Sequence, residues 1–376
     1  MKPRVAVLTN IPSPYQVELF DEIAKQARVD LRVWYCAEKD VRRHWEPPRP
    51  SHWHRFGRDW RITAHNDQYY LDPRLASEIG AWQPHLAVFS VYSMPAVQIA
   101  MWRAGLAGIP WVYWGESVGT GGTGLRVRLA RHVALYPIRR WALGLFAVGR
   151  RAVLNFRRHL ADDRPVLNVP YFSDLRRFSP GSGASSTARR GSTFLFVGSL
   201  VHRKGVDTLA RAFSLLVDRV PGVRLLIAGD GAGAQLLDRQ LSERAARAVT
   251  RQGFVAWQSL PQLYGKGDYL VLPSRYDGWG MVVAEAMASG LPVIGSTAAG
   301  AVLDLVQEGI TGWQVPPDDP GALEATMRLA VTTNRHRIQW MRGQCLKVAR
   351  KYDAALGARL FARAVSVVLQ SGGQEC

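Results

Sequence analysis

The chain has 376 residues, 47% of them apolar and 10% aromatic, and a formal net charge of +18. That length exceeds one ordinary core and fits two domains. No apolar stretch reaches about 18 residues uninterrupted, so no membrane span is expected. Three scattered cysteines, Cys36, Cys345 and Cys376, suit a reducing compartment rather than a disulfide framework or a zinc site.

The first element follows Met1, Lys2 and Pro3 directly. Residues 4–9 form an apolar run too short for a signal peptide, with no small-residue cleavage site after it. The run reads as a buried strand. A proline-stiffened loop from Asn10 to Tyr15 comes next, then an amphipathic stretch from Val17 to Ala27. Apolar runs at Leu31–Tyr35, Leu86–Phe89 and Trp111–Tyr113 alternate with helical stretches. Between them lies a loop-like region with His44, His52, His54 and His65 among Trp45, Trp53 and Trp60. No carboxylate or cysteine falls at matching spacing, so no metal is expected there. The tryptophans suit stacking on sugar rings or a membrane interface. Glu116 closes the strand that begins near Ile109, and a flexible loop, Gly119 to Gly124, follows it. That loop lacks the lysine of a P-loop.

No acidic residue occurs between Glu116 and Asp162, while arginines stand at 126, 128, 131, 139, 140, 150, 151, 157 and 158. Leu125, Leu129, Leu135, Tyr136, Trp141, Leu145 and Phe146 are interleaved with them. A basic, aromatic-bearing helical stretch fits an anionic membrane surface, and a solvated basic face is the plainer reading. No nucleic-acid-binding motif occurs, so nucleic acid is not expected as a partner. Arginine makes up 41 of the 48 basic residues, and part of that bias is genome composition.

Ser179 to Thr187 is rich in Gly and Ser and reads as a linker. The expected division is a domain over 1–180, a linker over 181–191 and a second domain over 192–356. A last helix over about 357–376 is expected to pack back on the first domain. The second half begins as the first does, with an apolar run at 193–198 and an amphipathic stretch from Val206 to Val217. Runs at Val223–Ala228, Tyr269–Leu272 and Val293–Ile294 follow. Strand–helix alternation with continuously apolar strands predicts α/β architecture: two Rossmann-like, doubly wound parallel sheets.

The stretch from Tyr269 to Gly290 carries the chemistry. It reads as a strand ending at Pro273, a turn at Asp277 and Gly278, and a helix from about Gly280 to Ser289. The first amides of that helix, at Gly280, Met281 and Val282, suit an anion, and the glycines leave room for phosphate oxygens. Glu285 lies among Val282, Val283, Ala284, Ala286, Met287 and Ala288. A carboxylate there needs donors, and a ribose diol offers two. Asp277 is placed to accept hydroxyls of whatever a diphosphate carries. The plainer reading has Glu285 reaching solvent and Asp277 only making the turn. Arg203 and Lys204 read as sitting at the start of another helix, where the dipole disfavours cations, which suggests an anionic partner.

This pattern resembles the acid-x7-Glu motif of family 4 glycosyltransferases. Further segments are similar in order: Phe196 to Phe213 with Lys204, Leu225 to Gly231, Leu263-Tyr264 through Ser274, Gly300, and Gly309 to Trp313. The resemblance spans nearly all of residues 190–320 and is thinner over 1–180. It implies the GT-B fold, two such domains facing across a cleft, and retention of anomeric configuration. It also implies a nucleotide diphosphate sugar as donor, with Lys204 on its phosphate and a base-binding wall near Phe254 and Val255. The donor side is then Arg203, Lys204, Val255, Asp277, Gly280, Met281, Val282 and Glu285. The acceptor side includes Tyr15, and Glu116 and Asp277 are the catalytic candidates.

Departures from the family mark this chain. Asp277 stands where glutamate is usual, Ser199 where many members have arginine, and Glu116 where many have histidine. Absence of an Asp-x-Asp triplet agrees with transfer that needs no metal or other cofactor. The expected enzyme is a hexosyltransferase acting on a glycan or lipid-linked acceptor, cytoplasmic, at the inner face of the cell membrane. Two other readings stay open: a non-catalytic membrane-associated protein of the same fold, and a dinucleotide oxidoreductase. Gly229, Gly231 and Gly233 after a strand suggest the latter, but Val249-Thr250-Arg251 supplies no acid at the distance its fingerprint requires.

Overall fold

A computed structural model of the chain describes residues 2–40, 46, 48–58, 60–64, 67–119, 124–160, 163–179 and 191–372. His44, Trp45, His65, residues 120–123 of the glycine loop, residues 180–190, which include 181–190 of the expected linker, and residues 373–376 lie outside the described residues. The chain divides into two units, Met1–Asp174 with Ala354–Cys376, and Leu175–Asp353.

In the first unit, strands run β1 (Arg4–Thr9), β2 (Asp30–Tyr35), β3 (His54–Phe56), β4 (Arg61–Ala64), β5 (Asp67–Tyr70), β6 (Leu86–Ser90), β7 (Trp111–Gly115), β8 (Gly144–Ala147) and β9 (Val166–Asn168). Seven of them form one parallel sheet in the order β3-β2-β1-β6-β7-β8-β9, and β4 and β5 pair as an antiparallel ribbon. Every residue of β6, β7 and β8 is buried. Helices cover both faces of such a sheet, so its central strands need no polar side.

β8 corrects the reading of the basic stretch as helical throughout. The helix Leu125–Trp141 stops at Ala142, and Leu145 and Phe146 turn inward as strand residues. The last helix, Ala354–Gly372, packs against the helix Pro14–Gln26, with Gln26 Nε2 donating to the Ala355 carbonyl at 2.8 Å.

The second unit holds β10 (Thr193–Val197), β11 (Arg224–Ala228), β12 (Val249–Gly253), β13 (Tyr269–Leu272), β14 (Val293–Ser296) and β15 (Gly312–Val315). They form a parallel sheet in the order β12-β11-β10-β13-β14-β15. The order steps outward from β10 in one direction, then restarts beside it at β13. Such a switch point leaves a crevice at the carboxyl ends of the two strands, where doubly wound sheets bind ligands. In this unit it falls between the loops that follow Val197 and Leu272.

Candidate functional site

The two loops at the switch point touch because glycine lets them. After β10 the chain makes a 3-10 turn, His202–Lys204, and reverses at Gly205 with φ 65° before the helix Val206–Arg219. A β-carbon at Gly205 would stand 2.1 Å from the Pro273 carbonyl oxygen. The Arg275 and Tyr276 amides donate to the Arg203 carbonyl at 2.8 and 3.3 Å.

Arg275 then crosslinks the site. Its guanidinium donates to both oxygens of Asp207 at 2.7 and 2.8 Å and to the His202 carbonyl at 2.7 Å. Its Nε lies 2.5 Å from Asp318 Oδ1. This fork geometry is the strong form of the carboxylate pair. The Arg275 hydrogen bonds hold the Asp207 carboxyl down at about 2. Neither Arg275 nor Asp207 stood out in the sequence.

Lys204 and Asp277 meet within this frame. The Lys204 ammonium donates to Asp277 Oδ2, and both residues are buried. Arg203 Nη1 lies 3.8 Å from Asp277 Oδ1, with its side chain half exposed. The position of the two cations is corrected: they sit in the turn before Gly205, not in the helix itself. Asp277 already supplies one anionic partner, so the dipole argument no longer demands a second. A β-carbon at Gly280 would come within 3.5 Å of Asp277 Oδ2, and Gly280 takes φ 98°. That angle is foreign to a right-handed helix. The helix therefore runs Val282–Ala288, with Gly280 and Met281 ahead of it. In the same loop, Ser274 Oγ and Trp279 Nε1 are buried without a hydrogen-bond partner in the described protein.

Glu285 is buried at 8% exposure rather than reaching solvent. The Tyr264 hydroxyl donates to its Oε2 at 2.8 Å. Val255 is partly buried in the loop after β12, beside the exposed Phe254. The three glycines of the dinucleotide-like run have another use. A β-carbon at Gly229 would collide with the Gly198 carbonyl, and one at Gly231 or Gly233 with the Leu200 carbonyl. They permit close packing of that loop on the one leading to Lys204, which removes the fingerprint's main support.

In the first unit, Glu116 lies in the bend after β7, at the carboxyl end of the sheet. The rings of Tyr15 and Tyr171 lie 4.8 Å apart. Burial first, then Tyr15 and Glu116, push the Tyr171 hydroxyl well above its ordinary range. Tyr171 thus links two residues that sequence reasoning named separately. His52 is buried, with its ring bonded to Asp21 at 2.6 Å and to Tyr35 at 3.1 Å. Among the described residues no three His, Cys, Asp or Glu side chains cluster as metal ligands would. Arg32 stacks on Trp53, and Arg74 on Trp60. A cavity of about 530 Å³ between the helices Pro73–Trp82 and Pro95–Leu106 contains none of the named site residues.

The helix Leu125–Trp141 exposes its apolar residues: Leu125 is 81%, Leu129 64% and Val133 57% accessible. Spaced four apart, they form one stripe that leads to Tyr136, stacked on Trp102. No described helix is long and apolar enough to cross a membrane.

Residues 191–332 match the family described as glycosyl transferases group 1. An uncharacterized glycosyltransferase of Methanocaldococcus jannaschii is 35% identical over 130 residues, covering 34% of this chain and 33% of the relative. The D-inositol 3-phosphate glycosyltransferase of Segniliparus rotundus is 31% identical over 161 residues, covering 39% and 36%. The matched part thus spans about a third of the length of these curated relatives. In structure, Anabaena HepE, solved with UDP, superposes with a TM-score of 0.75 at 19% identity, covering 98% of this chain and 100% of its own. The chain accordingly has the two-domain GT-B fold, and its residues 191–332 are similar to the group 1 glycosyl transferases.

Proposed function

We propose that the chain transfers a hexose-type sugar from a nucleoside diphosphate sugar to a glycan or lipid-linked acceptor, with retention of anomeric configuration. The observation that carries the reading is the convergence of Lys204, Arg203 and Asp277 at the switch point of the second sheet. Glu285 lies in the first turn of the helix Val282–Ala288, buried and bonded by the Tyr264 hydroxyl. HepE, of the same fold, is described in complexes with UDP and with UDP-glucose, which supports a nucleotide sugar as the ligand class.

Each residue then has a role. Lys204 and Arg203 neutralise the leaving diphosphate, helped by the amides of Gly280, Met281 and Val282. Glu285 accepts the ribose hydroxyls, and the backbone near Val255 flanks the base. Asp277 holds Lys204 in place and accepts a sugar hydroxyl with its remaining lone pairs. The bond from the anomeric carbon to the phosphate oxygen breaks, with its electron pair staying on phosphate. The acceptor hydroxyl bonds to the same face, and its proton passes to the leaving phosphate. Glu116, with Tyr15 beside Tyr171, stabilises positive charge on the acceptor side or, in place of the leaving phosphate, takes the acceptor proton. No step calls for a metal, because cationic side chains meet the leaving group.

The exposed stripe at Leu125, Leu129 and Val133, flanked by Arg126, Arg128 and Arg131, supports peripheral contact with an anionic membrane. Flotation with liposomes checks it: binding should rise with anionic lipid and fall with salt, and indifference to both contradicts it. The transfer reading is tested by release of nucleoside diphosphate on adding acceptor, and by the anomeric configuration of the product. Hydrolysis or inversion overturns the mechanism, and silence with every donor that binds overturns the activity.

A further inference from the structure

We infer that Tyr264 is a positioning residue for the donor: its hydroxyl sets the rotation of the Glu285 carboxylate and so gives the site its preference for ribonucleotides. This deepens the donor-site reading above and rests on it.

Glu285 and Tyr264 are both buried, and their oxygens lie 2.8 Å apart. A carboxylate on a short, otherwise apolar helix can rotate about its last bond unless something fixes it. A diol needs a particular plane, because its two hydroxyls approach the carboxylate side by side. A donor bonded to one oxygen from the protein side selects that plane, as second groups do for metal ligands.

Tyr264 is built to be such a donor. Burial, then the neighbouring Glu285, raises its hydroxyl well above the ordinary range, so it keeps its proton. The ring cannot swing away. It closes the helix Leu260–Tyr264, and Phe178 packs edge-on against it at 5.6 Å between centroids. Phe178 is fixed in turn, for the Arg177 guanidinium stacks on it and on Trp257, and donates to the Trp257 carbonyl at 2.8 Å. A tyrosine needed only for packing could be phenylalanine, with no buried hydroxyl to satisfy.

The test pairs each of UDP, GDP and ADP with its 2′,3′-dideoxy form in calorimetric titrations of the full chain. For the nucleotide that binds, wild type should prefer the ribo form. Tyr264→Phe should lose about tenfold in affinity for the ribo form, in line with a hydrogen bond to a charged group. Its affinity for the dideoxy form should stay unchanged. Equal loss for both forms, or no loss, overturns the inference and leaves Tyr264 a packing residue. Glu285→Ala separates the two levels. If it keeps the ribo preference, the ribose role of Glu285 falls. If it abolishes the preference while Tyr264→Phe does not, only the role of Tyr264 falls. Should Tyr264→Phe fail to fold, 3-fluorotyrosine at 264 keeps the hydroxyl. Its fluorine resonance should then move with the ribo form and not with the dideoxy form, and identical shifts overturn the inference.

Discussion

The carboxyl ends of the two sheets share a topology and differ in chemistry. In the second unit the loops after β10 and β13 are crosslinked by ion pairs: Arg275 to Asp207 and Asp318, Lys204 to Asp277. In the first unit the corresponding loops carry prolines and tyrosines, with Glu116 the one acid assigned a role. A switch point therefore marks where a ligand binds without saying which. Preset charge suits a ligand of constant charge, a diphosphate. A stiff aromatic wall suits a ligand recognised by shape and hydroxyls. The second unit is also where the family match lies, as expected if donor chemistry is shared and the acceptor varies.

Four substitutions can break or sharpen this contrast. The largest effect should come from Lys204→Ala, which removes the cation at the leaving group and leaves Asp277 buried without its main partner. Turnover should fall about a thousandfold, measured as nucleoside diphosphate release; retention of even a tenth would remove Lys204 from the phosphate. Glu116→Gln should reduce turnover about a hundredfold while donor affinity, by titration, stays at the wild-type value. A fall in donor affinity instead would blur the division of labour between the units.

The smallest effect is on stability. The Asp207 carboxyl sits at about 2 against an ordinary 3.8, so its pairing with Arg275 favours the folded state above pH 3.8. That contribution is lost as pH falls through 2, and it amounts to about 2 kcal/mol. Arg275→Gln should lower stability by about that much at neutral pH. Asp207→Asn should remove this acid-dependent part, as read from urea unfolding at pH 6 and pH 3. An unchanged stability at pH 6 in Arg275→Gln would show the crosslink to be dispensable.

What could be read from the sequence depended on range. The inner strands β1, β6, β7, β10, β11, β13 and β14 were legible, because each is a continuous apolar run. The outer strands β3 and β9 are short and β12 is largely exposed, so they lack that pattern, and β8 was hidden in the arginine-rich stretch. Lys204, Asp277 and Glu285 were legible as a spaced motif beside helix starts. Their partners were not: Tyr264 and Glu285 are 21 positions apart, Lys204 and Asp277 73, and Arg275 and Asp207 68. Periodicity sees neighbours within a turn or a pleat, whereas these pairs exist only once parallel strands bring their following loops together. That closure changed the meaning of Lys204, which the sequence offered as a cation awaiting an anion and the fold supplies with Asp277.

The most direct test of the donor site is titration of UDP, GDP, ADP and dTDP into the full chain with EDTA present. The account predicts that at least one ribonucleoside diphosphate binds at one per chain without metal, and that Glu285→Ala weakens it about a hundredfold. Failure of all four to bind, or undiminished binding by Glu285→Ala, would contradict it.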